Sequence, residues 1–592
     1  MSPSYRPLYR YVALIWLLIT IGAIFQSADS IARASLGDPD NYMRLVQVRD
    51  WLAGQSWTDV VQHRMNPPHG GDIHWSRLID MPIALIILAL RPLFGQSIAE
   101  TAALIAVPAL LSLALMFVLA PLLRNIAGRG VALVLLALLP LCLFVSAQFV
   151  PMRIDHHGWQ ILMAAIALVA WARPGMASAG LAGAALAFWM HISLEGLPYA
   201  TLFGGLYMMT YVLEGDRRVR AYLGALTIGS LLFLVSTHGL SALARSYCDA
   251  ISAPYLAALL LATCGFLVGD YSLRLLRWQT RLIPPLIAGG AALAGIALVD
   301  PVCLAGPFAT LDPLTRDFWY LSVNEGLPFW RQSGAISLVM ILAPLTGVIA
   351  AIVHAWAAYR SRQDLIAVGI AIAALFAWGI GLLILRTGGV AQIYALPGMA
   401  MLIGWLIGQN QKFRPRIAWS LSMAAALLLA TSIPPLVLGT LIFAENDKPS
   451  KSAAGRNRDE ADRQAKECVT RATDSALRGI GKATLFAPLD VGPVLLYRTD
   501  VSVIASGYHR NSAAIAKVIR AYTSPADAAR AIVMETPAQY LLLCRSTAEM
   551  SKYKHRAATG LAAALDRGNI PNWLAPDARL QTASARLYKV IR

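Results

Sequence analysis

Charge is scarce in this chain. Asp, Glu, Lys and Arg make up only 14% of 592 residues, against about a quarter in a typical soluble protein. That scarcity excludes a soluble multi-domain enzyme, whose helices would each need a polar face. Cysteine is sparse as well: there are six, and none stands at zinc-ligand spacing. No RNA- or DNA-binding motif is present, so the net charge of +17 is not a nucleic-acid footprint. What is abundant is apolar. Hydrophobic residues reach 57% and fall in repeated runs of roughly 18 to 22 residues, the length that crosses a bilayer.

The apolar runs predict about thirteen spans, near 11–28, 100–122, 131–149, 158–172, 177–192, 197–213, 223–239, 253–269, 283–299, 336–358, 366–385, 393–408 and 418–443. The apolar run Met81 to Gly95 is broken by Arg91 and is short for a span. It is expected to lie in the outer interface, within the first long loop. Loop charge supports that choice. The inner loops 124–130, 171–176, 214–222, 270–281, 359–364 and 409–416 then carry 14 Lys and Arg, against 3 in the short outer loops. Counting Met81 to Gly95 as a span would reverse this bias, against the positive-inside rule.

With that parity, the first outer loop is the unusual stretch. It begins LGDPDNYMR, with Asp38 and Asp40 spaced D-x-D, then Tyr42 and Arg44. Two hard oxygen ligands at this spacing can hold a divalent cation and leave positions for phosphate or water. The same two residues can equally cap a helix beginning near Asn41. Other ionisable residues gather on the same side. The second outer loop holds Arg153, Asp155, His156 and His157; the third, His191 and Glu195; the long fifth loop, Asp317 and Glu325; the sixth, Arg386. Charged groups at the ends of apolar spans are costly and often mark a site. Arg153 and Arg386 can also be snorkelling anchors, and Asp155 a helix cap. Convergence of acidic and imidazole groups from three separate loops on one face is what an ion site or catalytic site requires.

At these residues the chain resembles a family. Asp40-Asn41-Tyr42 in a long first loop, Asp155-His156-His157 in a short second loop and Ser322-Val323-Asn324-Glu325 in a long fifth loop follow one another. A later Arg at a membrane edge and a C-terminal domain outside the membrane complete the order. This order over about thirteen spans resembles the catalytic subunit of oligosaccharyltransferases, of the GT-C glycosyltransferase fold. The resemblance implies a polyprenyl-phosphate-linked sugar donor and a divalent cation, Mn²⁺ or Mg²⁺. It makes Asp40 a metal ligand and the group that positions the acceptor nucleophile, with Asp38 beside it and Asp155 a second ligand. Glu325, on a mobile fifth loop, would meet the metal or acceptor on closure. Arg386, with Arg153, would face the donor phosphate, which suits the planar guanidinium fork. Tyr42, Asn324 and Asp490 fall on the acceptor side.

The sequence departs from the family twice. The second element reads D-H-H where an acidic third residue is usual, so His157 would ligate through nitrogen and favour Mn²⁺. The W-W-D-Y-G signature is replaced by APLDVGPVLLYRTDVSVIASGYHRN, of which only Asp490 and Gly492 match. That absence argues against an asparagine in protein as acceptor.

Residues 1–445 are therefore expected to form a transmembrane domain with long outer loops 29–99 and 301–335, and 446–592 an outer α/β domain. After the polar stretch 445–467, strands are expected at Ala483 to Ala487, Val491 to Leu496, Val501 to Ala505, Tyr540 to Cys544 and Arg586 to Ile591. Helices are expected at Ala513 to Ala521 and Pro525 to Met534, the latter capped by Ser524 with Pro525 at its first position. Cys142 and Cys264 should be packed thiols within spans, while Cys468–Cys544 and Cys248–Cys303 are pairs that an oxidising compartment permits. The expected activity is transfer of a sugar or oligosaccharide from a polyprenyl carrier to a glycan or lipid acceptor, on the periplasmic face of a bacterial inner membrane. A protein glycosyltransferase with a diverged acceptor motif and a lipid-linked glycan transporter are the alternatives.

Overall fold

The computed structural model describes residues 6–272, 278–409, 416–443 and 468–592. The polar stretch 445–467 and parts of the inner loops 270–281 and 409–416 lie outside the described residues. The chain forms two compact units. One comprises Met1–Ile31, Ala89–Ala309 and Glu325–Ser450; the other comprises Ala32–Leu88, Thr310–Asn324 and Lys451–Arg592.

The first unit is helical. Among the described residues of the chain, eight helices are long and apolar enough to cross a membrane, nine if the bent pair Arg416–Leu429 and Ile433–Phe443 is one span. Helices cover each expected span in whole or in part, and His157–Trp171 and Met176–Ile192 are apolar but fall short of the length of a full span. Their outward faces carry exposed Leu14, Leu18, Leu286 and Leu298, as a lipid-facing surface should. Small residues let helices approach closely, the usual device where no water drives packing. A Cβ on Gly398 would lie 1.8 Å from the Gly347 carbonyl oxygen, so Gly334–Arg362 and Gly388–Gly408 meet backbone to backbone.

Two expectations change here. The helix Met81–Ala137 is one run interrupted only at Gly95 (φ 79°) and Gly128 (φ 84°), so Met81 to Gly95 is set off from the next span by a single residue. The expected span 131–149 ends at Ala137 and continues as the short turns Leu139–Leu141 and Leu143–Ser146. Pro140 lacks the amide that a continuous helix needs. Buried amides released by the break still require acceptors. Gln392 Oε1 accepts from Phe144 N at 3.1 Å and Val145 N at 3.3 Å, while its Nε2 donates to Ser432 Oγ at 2.7 Å. Cys142 is buried, but Cys264 is exposed on its helix and is not a packed thiol. Cys248 and Cys303 form a disulfide.

In the second unit, a five-stranded sheet has the order β4-β3-β5-β7-β6. Its members are β3 (Thr484–Phe486), β4 (Ser502–Val503), β5 (Tyr540–Cys544), β6 (Leu574–Gln581) and β7 (Ala585–Val590). Strands β3, β4 and β5 are parallel and β5, β7 and β6 antiparallel. A small ribbon pairs β1 (Val61–Gln62) with β2 (Gly71–Asp72). The expected strand at Val491 to Leu496 is the helix Gly492–Arg498, with Pro493 in its first turn; apolar content there signals burial rather than extension. The helix Ala526–Met534 starts one residue late, with Pro525 at the cap and no side-chain capping bond. Strand β6 escaped the sequence reading. Cys468 and Cys544 are joined.

The first-loop segment is knitted into this unit. Asn66 N donates to Val503 O at 2.8 Å and Val503 N to Arg64 O at 2.9 Å, extending the β4 edge. The helix Pro39–Leu52 packs on Gly492–Arg498, with Arg49 Cζ 4.3 Å from the centre of the Tyr497 ring. The fifth-loop segment is held as firmly. Lys552 Nζ donates to Asp317 O at 2.8 Å, Phe318 O at 2.8 Å and Ser322 Oγ at 2.6 Å. The front half of the loop, expected to be mobile, is therefore anchored, because all three ammonium protons have acceptors on it.

Candidate active site

Within the first unit, one turn and two short 3₁₀ segments bring the ionisable residues together. The turn precedes the helix His157–Trp171 and carries Arg153, Asp155 and His156. It is fixed by Met152 N donating to Leu104 O at 2.9 Å and by Arg153 Nε donating to Gln148 Oε1 at 2.9 Å. Gly158 permits the tight return, since a Cβ there would stand 3.2 Å from Gln148 O. Glu325 lies in the segment Asn324–Gly326, and Arg386 in Leu385–Thr387. A backbone bond from Leu385 N to Leu327 O at 3.3 Å ties those two segments together.

The side chains form a continuous polar cluster. His156 Nδ1 is 2.6 Å from Asp155 Oδ1, and His157 Nε2 is 3.4 Å from Asp155 Oδ2 and 3.7 Å from Glu325 Oε2. Arg153 Nη2 stands 3.6 Å from Asp155 Oδ2, and Arg386 Nη1 3.9 Å from Glu325 Oε1. Arg386 Nε also pairs closely with Glu195. Burial works to raise the Asp155 carboxyl, but the His157 and His156 imidazoles and the Arg153 guanidinium hold it well below the ordinary carboxylate range. Exposure is graded: the Asp155 and His157 side chains are both 2% exposed, whereas Arg386 is 25% exposed. The arginine is thus the more exposed end of the cluster and Asp155 and His157 its buried end.

The residues present fit a divalent ion. One ligand atom each from Asp155, His156 and His157 lie within 4.8 Å of one another. The His157 Nε2 separations from Asp155 and Glu325 are longer than hydrogen bonds. A mixed nitrogen and oxygen donor set of this kind suits Mn²⁺ or Zn²⁺ better than Mg²⁺, which prefers oxygen alone.

The remaining predicted residues belong to the second unit. Asp38 does cap its helix: its Oδ1 accepts from Asp40 N at 3.0 Å. Tyr508 donates its hydroxyl to Asp40 Oδ1 at 3.3 Å. Burial, and then the Asp40 and Asp38 charges, push that phenol well above its usual value, so it keeps the proton it donates. Tyr42 is 3% exposed, its hydroxyl accepts from Leu36 N and its ring packs on Tyr497. It packs inside this unit. Asn324 closes the anchored loop segment. Asp490 is exposed on the turn after β3, where Glu549 accepts from Leu489 N at 2.9 Å and Asp490 N at 3.0 Å.

Sequence reasoning placed Glu195 on the outer face but gave it no role, and it missed Gln160. Gln160 stands three residues after His157, on the same helical face, which was the available signal. Glu195 had no motif around it.

No protein-family profile matches the sequence, and no curated protein matches it either. Solved structures do. The oligosaccharyltransferase AglB from Archaeoglobus fulgidus, in complex with an inhibitory peptide and a dolichol-phosphate, superposes with a TM-score of 0.66 at 15% identity, covering 97% of this chain and 73% of that one. The A. fulgidus oligosaccharyltransferase tethered to an acceptor peptide containing the NVT sequon gives 0.60 at 14%, over 100% and 75%. Its complex with zinc and sulfate gives 0.54 at 15%, over 93% and 69%. At such identities the likeness is one of fold: this multi-pass membrane protein has the GT-C fold of the oligosaccharyltransferase catalytic subunit.

Proposed function

We propose that the protein is a membrane glycosyltransferase that moves a sugar or oligosaccharide from a polyprenyl-phosphate or polyprenyl-pyrophosphate carrier to a glycan or lipid acceptor. Its site would face the periplasm from a bacterial inner membrane. The observation that carries this reading is the cluster of Asp155, His156, His157, Glu325 and Arg386. A second observation supports a lipid-linked donor. An apolar cavity of about 560 Å³ runs between the helices Gly196–Glu214 and Leu365–Leu383, lined by Leu197, Thr201, Met209, Ile372 and Phe376. Glu195 precedes the N-terminus of the first helix, Arg386 follows the C-terminus of the second, and the two side chains pair. A polyprenyl chain in that groove would deliver its phosphate to the guanidinium.

Roles follow from the chemistry. Arg386 and Arg153 bind the phosphate, which gains negative charge as the bond from the anomeric carbon to the phosphate oxygen breaks. Asp155, His157 and Glu325, with Asp40 and Asp38 as the resemblance implies, are the groups that would hold a divalent cation, Mn²⁺ before Mg²⁺ by their donor set, which when bound would supply Lewis-acid stabilisation of that phosphate. The acceptor hydroxyl forms the new bond, and Asp40 orients it and takes its proton. The carrier departs with the bonding electrons on its phosphate.

Neither alternative has a specific observation behind it. The missing W-W-D-Y-G element disfavours a peptide acceptor, although the NVT-tethered structure belongs to a neighbour in fold. A transporter would place its charges near the bilayer midplane, whereas Arg386, Glu195 and Asp155 flank helix ends. Lipid and glycan analysis of a deletion strain tests the reading. A lipid-linked sugar intermediate should accumulate, and Asp155→Ala should reproduce it. Normal envelope glycans in both strains would end the enzyme reading.

A further inference from the structure

Beyond the ion and phosphate groups, one buried amide connects them. Gln160 is 3% exposed. Its Nε2 donates to Glu195 Oε2 at 3.3 Å, and its Oε1 lies 3.1 Å from His157 Nδ1. Glu195, through its other oxygen, pairs with Arg386 Nε. The chain of contacts therefore runs Arg386–Glu195–Gln160–His157 without a gap.

The direction of each hydrogen bond in this chain is forced. A carboxylate paired with a guanidinium only accepts, so Gln160 must turn its NH₂ toward Glu195. Its carbonyl oxygen then faces His157, and that oxygen only accepts. Nδ1 must therefore carry a proton, so the nitrogen left to ligate a cation, once a bound ion displaces its proton, is Nε2, which stands 3.4 and 3.7 Å from Asp155 and Glu325. Reversing the amide would set its carbonyl oxygen against the Glu195 carboxylate, two acceptors face to face, an arrangement a buried site does not tolerate.

We infer that Gln160 is a positioning residue that sets the tautomer of His157 for metal ligation and couples it, through Glu195, to the donor-phosphate arginine Arg386. This rests on the proposed reading of the site. The coupling has a definite logic. A phosphate drawing on Arg386 pulls Glu195 with it, and Gln160 transmits the displacement to the ring whose Nε2 faces the cation. Outer groups that orient a metal-bound histidine typically change ion affinity by about 10- to 100-fold.

Two substitutions in the full chain, purified into lipid nanodiscs, test this with Mn²⁺ and undecaprenyl phosphate as separate probes and no turnover needed. Gln160→Met keeps the length and the neutrality and removes both bonds. It should weaken Mn²⁺ binding about tenfold and undecaprenyl phosphate binding at least about threefold, the cross-effect expected of coupled neighbours. Gln160→Glu still accepts from His157 Nδ1 but offers Glu195 no donor. It should keep Mn²⁺ binding at wild-type strength or tighter while undecaprenyl phosphate binding falls. If Gln160→Met shifts one probe alone or neither, or if Gln160→Glu loses Mn²⁺, the relay is wrong. Should the wild type still transfer sugar in that case, the proposed function survives the loss. A folded wild type that binds neither probe removes both.

Discussion

In the proposed reading, Arg386 is the residue on which the donor side of the site turns. Its guanidinium is held by Glu195 at Nε and faces Glu325 from Nη1, and the side chain remains 25% exposed. A lysine retains the charge but not the fork. Arg386→Ala should lower donor kcat/KM by about 10²- to 10³-fold, the usual cost of removing one charge-stabilising donor. Arg386→Lys should fall between, with most of its loss in KM, since the charge still meets the leaving phosphate. Steady-state kinetics with a polyprenyl-linked sugar decide the matter, and equal kinetics for both variants and wild type would remove Arg386 from the site. Residue-level reasoning singled out Asp155, His157 and Arg386 at the ends of apolar spans and Glu325 by its motif, four residues that the structure places in one cluster. It could not find Glu195 as Arg386's partner, because an ion pair between the third and sixth loops is a property of the fold.

At the scale of elements, helix contact depends on missing side chains. Gly398 faces the Gly347 carbonyl so closely that a Cβ would stand 1.8 Å away. Gly398→Val should destabilise the membrane unit by about 3 kcal/mol, the upper part of the range for overpacking. Gly379, on the helix Leu365–Leu383, has nothing within 4 Å of its Cβ position. Gly379→Ala should leave stability unchanged or raise it by up to about 1 kcal/mol through helix propensity. Thermal unfolding in one detergent compares them, and equal shifts would show that close helix approach is not what Gly398 provides. The membrane helices were legible because their apolar runs are long. The break after Ala137 was not, since its released amides are satisfied by Gln392, some 250 residues on. In the five-stranded sheet, β5 was legible as a compact apolar run and β7 as a short run of apolar residues between basic ones, but β6 alternates poorly and includes Pro576. The helix Gly492–Arg498 was misread because a buried apolar run has no period of its own. Nothing local in residues 61–72 announces that they border β4.

The unit built from three distant pieces of chain should respond to pH as a whole. Glu549 sits where its turn meets the segment after β3, accepting from two backbone amides and from the Tyr553 hydroxyl at 2.6 Å. Burial, and then the nearby Asp490 charge, push its carboxyl up to about 8, against the lowering effect of those three donors. A carboxyl raised on folding favours the folded state while it is protonated. Its contribution is therefore complete below the ordinary value near 4.5 and disappears as pH climbs through about 8. Stability of this unit should fall across that window, and Glu549→Gln, which cannot ionise, should flatten the fall. Hydrogen exchange of the segments 484–498 and 540–556 in the intact protein, followed from pH 5 to 8.5 after correction for intrinsic exchange rates, reads the effect on this unit alone. The fifth-loop segment 313–322 should loosen with them, because Lys552, three residues from Glu549, holds Asp317, Phe318 and Ser322. If 313–322 keeps its protection while 540–556 loses it, the loop is anchored by something other than Lys552. If the Glu549→Gln protein shows the same pH slope as wild type, Glu549 is not the group that titrates.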